Sequence, residues 1–237
     1  GNTRLKWGLF EGKELRETGA GEAENLENLF AEANNQNIKN VILSNVGKEL
    51  KKDLEKRFRD RYFFINLDQN TPLPFRNAYK SPGSLGKDRL AAIAGAAHYF
   101  PGEHTLVIDI GTAITFDYLS ADGCFEGGNI SPGMAMRYQG LYLFTARLPL
   151  IETNAVAEFW GQDTKAAMES GVINGILFEI EGYIRYLEDR LTDFKILLTG
   201  GGADYFAKKL KSEIFVDHNL VLTGLNKILD YNVHIEK

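Results

Sequence analysis

Apolar and polar positions alternate loosely over residues 5–10, which predicts a strand. Glu11, Gly12 and Lys13 predict a turn, and the strand resumes at Glu14. Residues 22–35 are polar apart from Leu26, Leu29, Phe30 and Ala33, a spacing that puts the apolar side chains on one face of a helix. Asn40, Val41, Ile42, Leu43 and Ser44 read as a short buried strand, residues 48–59 as a helix and residues 62–67 as another strand. This alternation predicts a mixed α/β domain. Residues 70–86 keep no steady period and carry Pro72, Pro74 and Pro82. They read as a long ordered loop, and such a loop in a compact chain usually serves function. An alanine-rich helix follows over residues 90–99 and ends at Pro101 and Gly102.

A second unit opens at Thr105. Residues 106–110 predict a buried strand, Gly111, Thr112 and Ala113 a tight turn, and residues 114–119 the returning strand. Asp122 and Gly123 turn the chain again, and residues 124–128 continue the meander. The start of the chain follows the same plan: a turn at Gly1, Asn2 and Thr3, a strand, then an acidic-glycine turn. That is an internal repeat with a period of about a hundred residues. It divides the chain into two α/β domains, residues 1–102 and 103–237, with a cleft expected between them. Residues 134–146 read as a helix, and residues 163–191 as one or two long amphipathic helices. Residues 194–198 form a strand that feeds Gly200, Gly201 and Gly202. A helix over 204–210 follows, and residues 220–229 close the fold.

Composition narrows the function. The 237 residues are 44% hydrophobic and 25% charged, as in an ordinary globular protein. Net charge is −5, from 27 basic and 32 acidic residues, and no Lys/Arg stripe stands out, so a nucleic-acid partner is not expected. The charge run over residues 48–57 mixes both signs at helical spacing and reads as a solvated helix face. Cys124 is the single cysteine, so no intrachain disulfide can form, which fits a cytoplasmic location. No apolar stretch approaches the ~20 residues that span a bilayer, and no signal peptide is expected.

Three segments could carry chemistry. In Asp109-x-Gly111-Thr112-Ala113, Gly111 permits a turn whose backbone N–H groups, with the Thr112 hydroxyl, can bond phosphate oxygens, while Asp109 can hold a cation or a metal-bound water. The same residues could close an ordinary hairpin; the repeat at Gly1, Asn2 and Thr3, with Lys6, favours phosphate chemistry. Thr199-Gly200-Gly201-Gly202-Ala203 is a glycine-rich link from strand to helix. It can let a flat ring or a phosphate approach the backbone, or simply make a tight connection. Gly86-Lys87-Asp88-Arg89 opens a helix. Asp88 could accept a proton from a substrate hydroxyl while Arg89 holds a carboxylate, or Asp88 could be only an N-cap. The run 127–133 could be purely a turn, and residues 145–149 could simply end a helix. His98 and His104 lack metal-ligand spacing and receive no role. Cys124 reads as a small core residue.

Taken together, six segments resemble the type III pantothenate kinases of the acetate and sugar kinase, chaperone ATPase and actin superfamily. They are Gly1-Asn2-Thr3 with Lys6; Tyr79, Pro82, Leu85, Gly86, Asp88 and Arg89; Asp109, Gly111, Thr112 and Ala113; Gly127, Gly128, Ile130, Pro132 and Gly133; Thr145, Ala146, Leu148 and Pro149; and Gly161 with Thr164. The resemblance implies duplicated actin-like, ribonuclease H-like domains with an ATP cleft between them. It implies ATP-dependent phosphorylation of pantothenate to 4′-phosphopantothenate, the first step of coenzyme A biosynthesis. Asp88 would be the proton acceptor. Tyr79, Gly86, Lys87 and Arg89 would line the pantothenate site, and Thr164 would reach pantothenate across a homodimer interface. Gly1, Asn2, Thr3, Lys6 and Thr112 would contact ATP, which carries Mg2+. Asp109 would hold a monovalent cation, K+ or NH4+. The family's first turn has an acidic residue two positions before its glycine. That position lies upstream of Gly1, so a short preceding segment is expected. A non-catalytic transcription accessory factor of the same family, or a kinase of another small alcohol, are the alternatives.

Overall fold

The computed structural model describes residues 5–21, 38–45, 52–152 and 158–235. The chain forms two compact units. One comprises Gly1–Gly102, Asp122–Glu126 and Asn219–Lys237, and the other Glu103–Ala121 and Gly127–His218.

In the first unit, β1 (Leu5–Glu11) and β2 (Glu14–Gly21) form an antiparallel hairpin. Its turn uses Gly12 at φ 59°, a left-handed conformation that glycine adopts without steric cost. A bulge between Leu9 and Phe10 shifts the register. Strands β3 (Asn40–Leu43) and β4 (Phe63–Asn66) pair in parallel, as a crossover through a helix requires. That helix, α1 (Lys52–Arg61), buries Leu54 and Phe58, four residues apart on one face. Phe58 stacks on Phe64 with ring centroids 5.1 Å apart. Arg59 and Glu55 pair at 2.6 Å on the solvent side, so the charged run is a solvated face over the part of it described. The expected helix over 22–35 and the turn at Gly1, Asn2 and Thr3 lie outside the described residues.

The helix α2 (Lys87–Tyr99) begins three residues earlier than its apolar run suggests, because Gly86, not Asp88, occupies the N-cap position. It packs on the C-terminal helix α6 (Leu220–Ile235) through two glycines. A Cβ on Gly224 would lie 1.7 Å from the Ala91 carbonyl oxygen, and one on Gly95 would lie 2.7 Å from the Leu220 oxygen. The two backbones therefore touch where they cross. Helix α6 also ties down its surroundings. Asn226 Nδ2 donates to the Gly12 oxygen at 2.9 Å, and Asn232 Nδ2 donates to the Pro72 oxygen at 2.9 Å. Helix α6 runs past its expected end at residue 229.

The second unit is built on β6 (Thr105–Ile110), β7 (Ala113–Leu119), β8 (Cys124–Pro132), β9 (Lys195–Thr199) and β10 (Phe215–Val216), in the order β10-β9-β6-β7-β8. Strand β6 pairs antiparallel with β7 and parallel with β9. The glycine-rich run 127–132 continues β8 as strand rather than turn, with Gly127 at φ 118°. Strand β8 lies beside β7 in the sheet. Helices α3 (Met134–Leu143), α4 (Thr164–Glu188) and α5 (Ala203–Ala207) complete the unit. Residues 163–191 hold one unbroken helix. Its Asp163 N-cap accepts from the Ala166 N–H at 2.9 Å, and Val172, Ile176, Ile180 and Ile184 recur every fourth residue into the core. That stripe packs with Ile108, Ile110 and Phe116 of the sheet, and Phe116 stacks on Tyr183 at 4.0 Å.

The glycine crossing of α2 and α6 predicts a sharp response to added volume. Gly224→Ala should cost about 3 kcal/mol by forcing the helices apart. Thermal unfolding followed by circular dichroism would show a lowered Tm, and an unchanged Tm would contradict the close crossing.

Candidate active site

In the second unit, β6 ends at Asp109 and Ile110, and the chain reverses through Gly111 and Thr112, both exposed. The Gly111 N–H donates to the Ala113 oxygen at 3.1 Å, closing the turn. In the parallel ladder Asp109 stands opposite Thr199, so the glycine-rich run after β9 emerges beside it. Gly200 has φ 87°, and a Cβ there would lie 2.4 Å from Asp109 Oδ1. The Gly202 N–H donates to the Ile110 oxygen at 3.0 Å, and a Cβ on Gly202 would lie 2.6 Å from Ile110 Cγ2. Only glycine fits both places. The two glycine turns singled out in the sequence thus meet at the carboxyl ends of two parallel strands, where α/β sheets gather their ligands.

A third segment abuts them. The Gly133 N–H donates to the Thr112 oxygen at 3.0 Å. A Cβ on Gly133 would lie 2.3 Å from that oxygen and 2.4 Å from the Gly111 oxygen. Gly133, at the end of the run 127–133, therefore abuts the Asp109–Ala113 turn, a contact the sequence reading did not assign.

In the first unit, Gly86 caps α2, Lys87 is half-buried, and Asp88 is exposed in the first helical turn, where the helix dipole favours a carboxylate. Asp88 Oδ1 accepts from the Arg89 N–H at 2.9 Å, which fixes its rotamer. Arg89 points the other way and is only 5% exposed. Its guanidinium lies 5.5 Å from the Tyr79 ring centroid and 5.8 Å from that of Phe125, both within cation–π range. The two rings lie 6.1 Å apart and 3° from parallel. The loop that carries Tyr79 is held by β5 (Arg76–Asn77), which pairs in parallel with the start of β8. The Ala78 N–H donates to the Phe125 oxygen at 3.0 Å, the Tyr79 N–H donates to Asn77 Oδ1 at 3.0 Å, and Arg76 pairs with Asp122. Phe125 is a neighbour of Tyr79 and Arg89 that the sequence reading missed. Nothing in its spacing signals a partner in the Tyr79 loop.

Lys6 is exposed on β1, while Gly1, Asn2 and Thr3 lie outside the described residues. Thr164 is the exposed first residue of α4. Behind it, Gly161 lies against the helix so closely that a Cβ would sit 2.1 Å from the Ala167 nitrogen. Phe159 and Trp160 are 58% and 79% exposed beside this helix start. Among the described residues, no group of three or more His, Cys, Asp or Glu side chains could hold a metal, so Asp109 does not stand in a carboxylate cage. No described helix is long and apolar enough to cross a membrane.

A strand-turn-strand hairpin beside a glycine-rich turn, on a mixed sheet flanked by helices, belongs to the sugar-kinase and actin-like ATPase fold. A Listeria monocytogenes protein assigned as an N-acetylmannosamine kinase superposes with a TM-score of 0.53 at 16% identity, covering 100% of this chain and 97% of its own. A conserved Campylobacter jejuni protein assigned to the Baf family of transcriptional activators superposes with a TM-score of 0.60 at 25% identity, over 92% of each chain. The family model for type III pantothenate kinase matches residues 1–186. A type III pantothenate kinase from Phocaeicola vulgatus is 41% identical over 235 residues, spanning 98% of this chain and 96% of the relative. The chain belongs to the type III pantothenate kinase family.

Cys124 lies at the start of β8, next to Phe125. Burial, and then a hydrogen bond with Glu126 and the charge of that residue, push its thiol up from the ordinary value. Alkylation requires the thiolate, which both burial and the raised pKa suppress. Iodoacetamide should label the native protein at least ~10-fold more slowly than the denatured chain at pH 8. Equal rates would show that the β5–β8 contact opens freely.

Proposed function

We propose that this protein transfers the γ-phosphoryl group of ATP to the hydroxyl of pantothenate, giving ADP and 4′-phosphopantothenate, the first step of coenzyme A biosynthesis. The observation that carries this reading is the family match over residues 1–186, joined to a Gly86–Arg89 segment that presents Asp88 at the exposed start of α2. One carboxylate oxygen of Asp88 is fixed by the Arg89 N–H; we assign the other to the substrate hydroxyl. As the hydroxyl oxygen attacks the γ-phosphorus, its proton passes to Asp88. The bond from that phosphorus to the β,γ-bridging oxygen breaks, and ADP leaves with the electron pair. Tyr79, Gly86, Lys87 and Arg89 are assigned to the pantothenate site. Arg89 acts there from beneath the Tyr79 ring, holding that ring in place.

The ATP contacts are assigned to Lys6 and Thr112, together with Gly1, Asn2 and Thr3. The exposed Gly111–Thr112 turn offers backbone N–H groups and a hydroxyl to phosphate oxygens. Asp109 is assigned to a monovalent cation, K+ or NH4+. The fit rests on its donor set. The carboxylate borders the space that a Cβ on Gly200 would fill, and the Ile110 carbonyl lies beside the same space. Oxygen donors of this kind suit a hard cation. Bound there, such an ion would offset negative charge near the phosphates, and Mg2+ would arrive with ATP. The reaction is placed in the cytoplasm.

A homodimer completes the proposal. Leu143, Phe144, Leu150, Phe159, Trp160 and Phe178 are all more than half exposed on the second unit, more large apolar surface than a monomer usually leaves in water. Thr164 lies four residues beyond Trp160, so a second copy seated on Phe159 and Trp160 would bring its own site close to this residue. The Baf name of the Campylobacter jejuni protein keeps a transcriptional role in view. The net charge of −5 and the intact Gly86-Lys87-Asp88-Arg89 run support the enzyme instead.

The full-length protein should release ADP in a coupled assay only when pantothenate is present; release independent of pantothenate would sink the reading. Asp88→Asn should lower kcat at least ~100-fold, and near-normal turnover would remove Asp88 from the proton-accepting role. Trp160→Glu should shift sedimentation from dimer toward monomer and raise the pantothenate KM. A variant that stays dimeric with an unchanged KM would place the subunit contact elsewhere.

A further inference from the structure

Arg137 of α3 takes no part in the roles assigned above, yet its side chain makes polar contacts with three residues, Ser131, Pro132 and Glu179. Its Nε donates to the Pro132 oxygen at 2.8 Å and its Nη2 to Ser131 Oγ at 3.1 Å. The same Nη2 pairs with Glu179 on α4. Its backbone N–H donates to the Gly133 oxygen at 3.0 Å. The side chains of Arg137 and Glu179 are 21% and 24% exposed, so the pair is partly shielded from water and from salt.

These bonds form a chain of contacts. Glu179 stands on the helix that forms the core of the unit and anchors Arg137. Arg137 grips Ser131 and Pro132 through the fork of its guanidinium, a geometry that lysine cannot reproduce. Those two residues lead into Gly133, whose N–H holds the Thr112 oxygen and whose missing side chain lets it press on both Gly111 and Thr112. Each link is short and directional, and none involves a residue assigned to pantothenate.

We propose that Arg137, anchored by Glu179, is a positioning residue for the nucleotide phosphates. It fixes the 131–133 segment and thereby the backbone N–H groups and the hydroxyl of the Gly111–Thr112 turn. This rests on the reading above that the turn contacts ATP. The expected signature is selective, because a turn displaced by a fraction of an ångström loses phosphate bonds while the Asp88 side of the site is untouched.

The test compares Arg137→Ala, Arg137→Lys, Glu179→Gln and Thr112→Val in the full chain. It measures both substrate KM values, kcat, the Kd for ADP with Mg2+ by calorimetric titration, and Tm. Arg137→Ala should raise the ATP KM and the ADP Kd about 10-fold, with the pantothenate KM within about two-fold of the parent. Arg137→Lys and Glu179→Gln should fall between, and they keep the test alive if the alanine variant does not fold. A lowered Tm with an unchanged ADP Kd would overturn the proposal by reducing Arg137 to a structural role. Equal rises in both KM values would overturn it as well. Thr112→Val separates the two readings. If it weakens ADP while the Arg137 variants do not, only the positioning role falls; if it too leaves ADP unaffected, the assignment of the turn to ATP falls with it.

Discussion

In the parallel ladder between β6 and β9, Asp109 lies opposite Thr199, and glycine follows within two residues of each. The rest of the second unit follows from that register. A shift of one residue would turn every side chain of β9 to the opposite face and remove Leu198 from the core beside Ile108. It would also separate Gly200 from Asp109, whose close approach exists only because the glycine has no Cβ and holds φ 87°. The apolar run in β6 and β9 and the open turns at their ends are thus one design. The buried part fixes the register, and the register sets where the two turns meet.

The first unit solves a different problem. Its loop between β4 and α2 has no hydrophobic period and three prolines, so regular pairing cannot order it. Order comes from the Arg89 guanidinium set against two parallel rings and from the two-residue strand β5 on the edge of β8. Adjacent residues at the start of α2 face opposite ways. Arg89 goes inward as a structural cation, and Asp88 goes outward with one oxygen fixed. A buried charge anchored on aromatic faces gives the exposed carboxylate beside it a rigid base without covering it.

The sequence made much of this legible, and the gaps have physical causes. Strands β1 to β4, β6, β7 and β9 were readable because apolar runs and alternation depend on residues near in sequence. Helix α2 was placed within three residues, its start obscured because Lys87, Asp88 and Arg89 lie ahead of the apolar run. The glycine turns at 111 and 200 were found by their chemistry. Their contact was not, because it depends on which strands pair. The run 127–133 left a turn open because glycine weakens strand propensity, yet residues 127–132 continue β8 beside β7 in the sheet. Phe125 and Arg137 carried no sequence signal, and Gly133 entered only through the family resemblance, with no role. Each matters through a partner brought near only by the folded sheet or by α4.

The close crossing of α2 with α6 also has a consequence for the order of events during synthesis. The first unit is discontinuous in the chain: its core takes in Ile228 from the last helix, beside Leu67 and Ala94. The second unit needs nothing beyond His218. Domains fold as units when their residues become available. On a ribosome, the half made second can therefore close first, while the half made first waits for α6 to emerge. Until then, the small face of α2 that receives Gly224 stays uncovered, so a chain truncated just short of its end would lose the N-terminal unit rather than the C-terminal one.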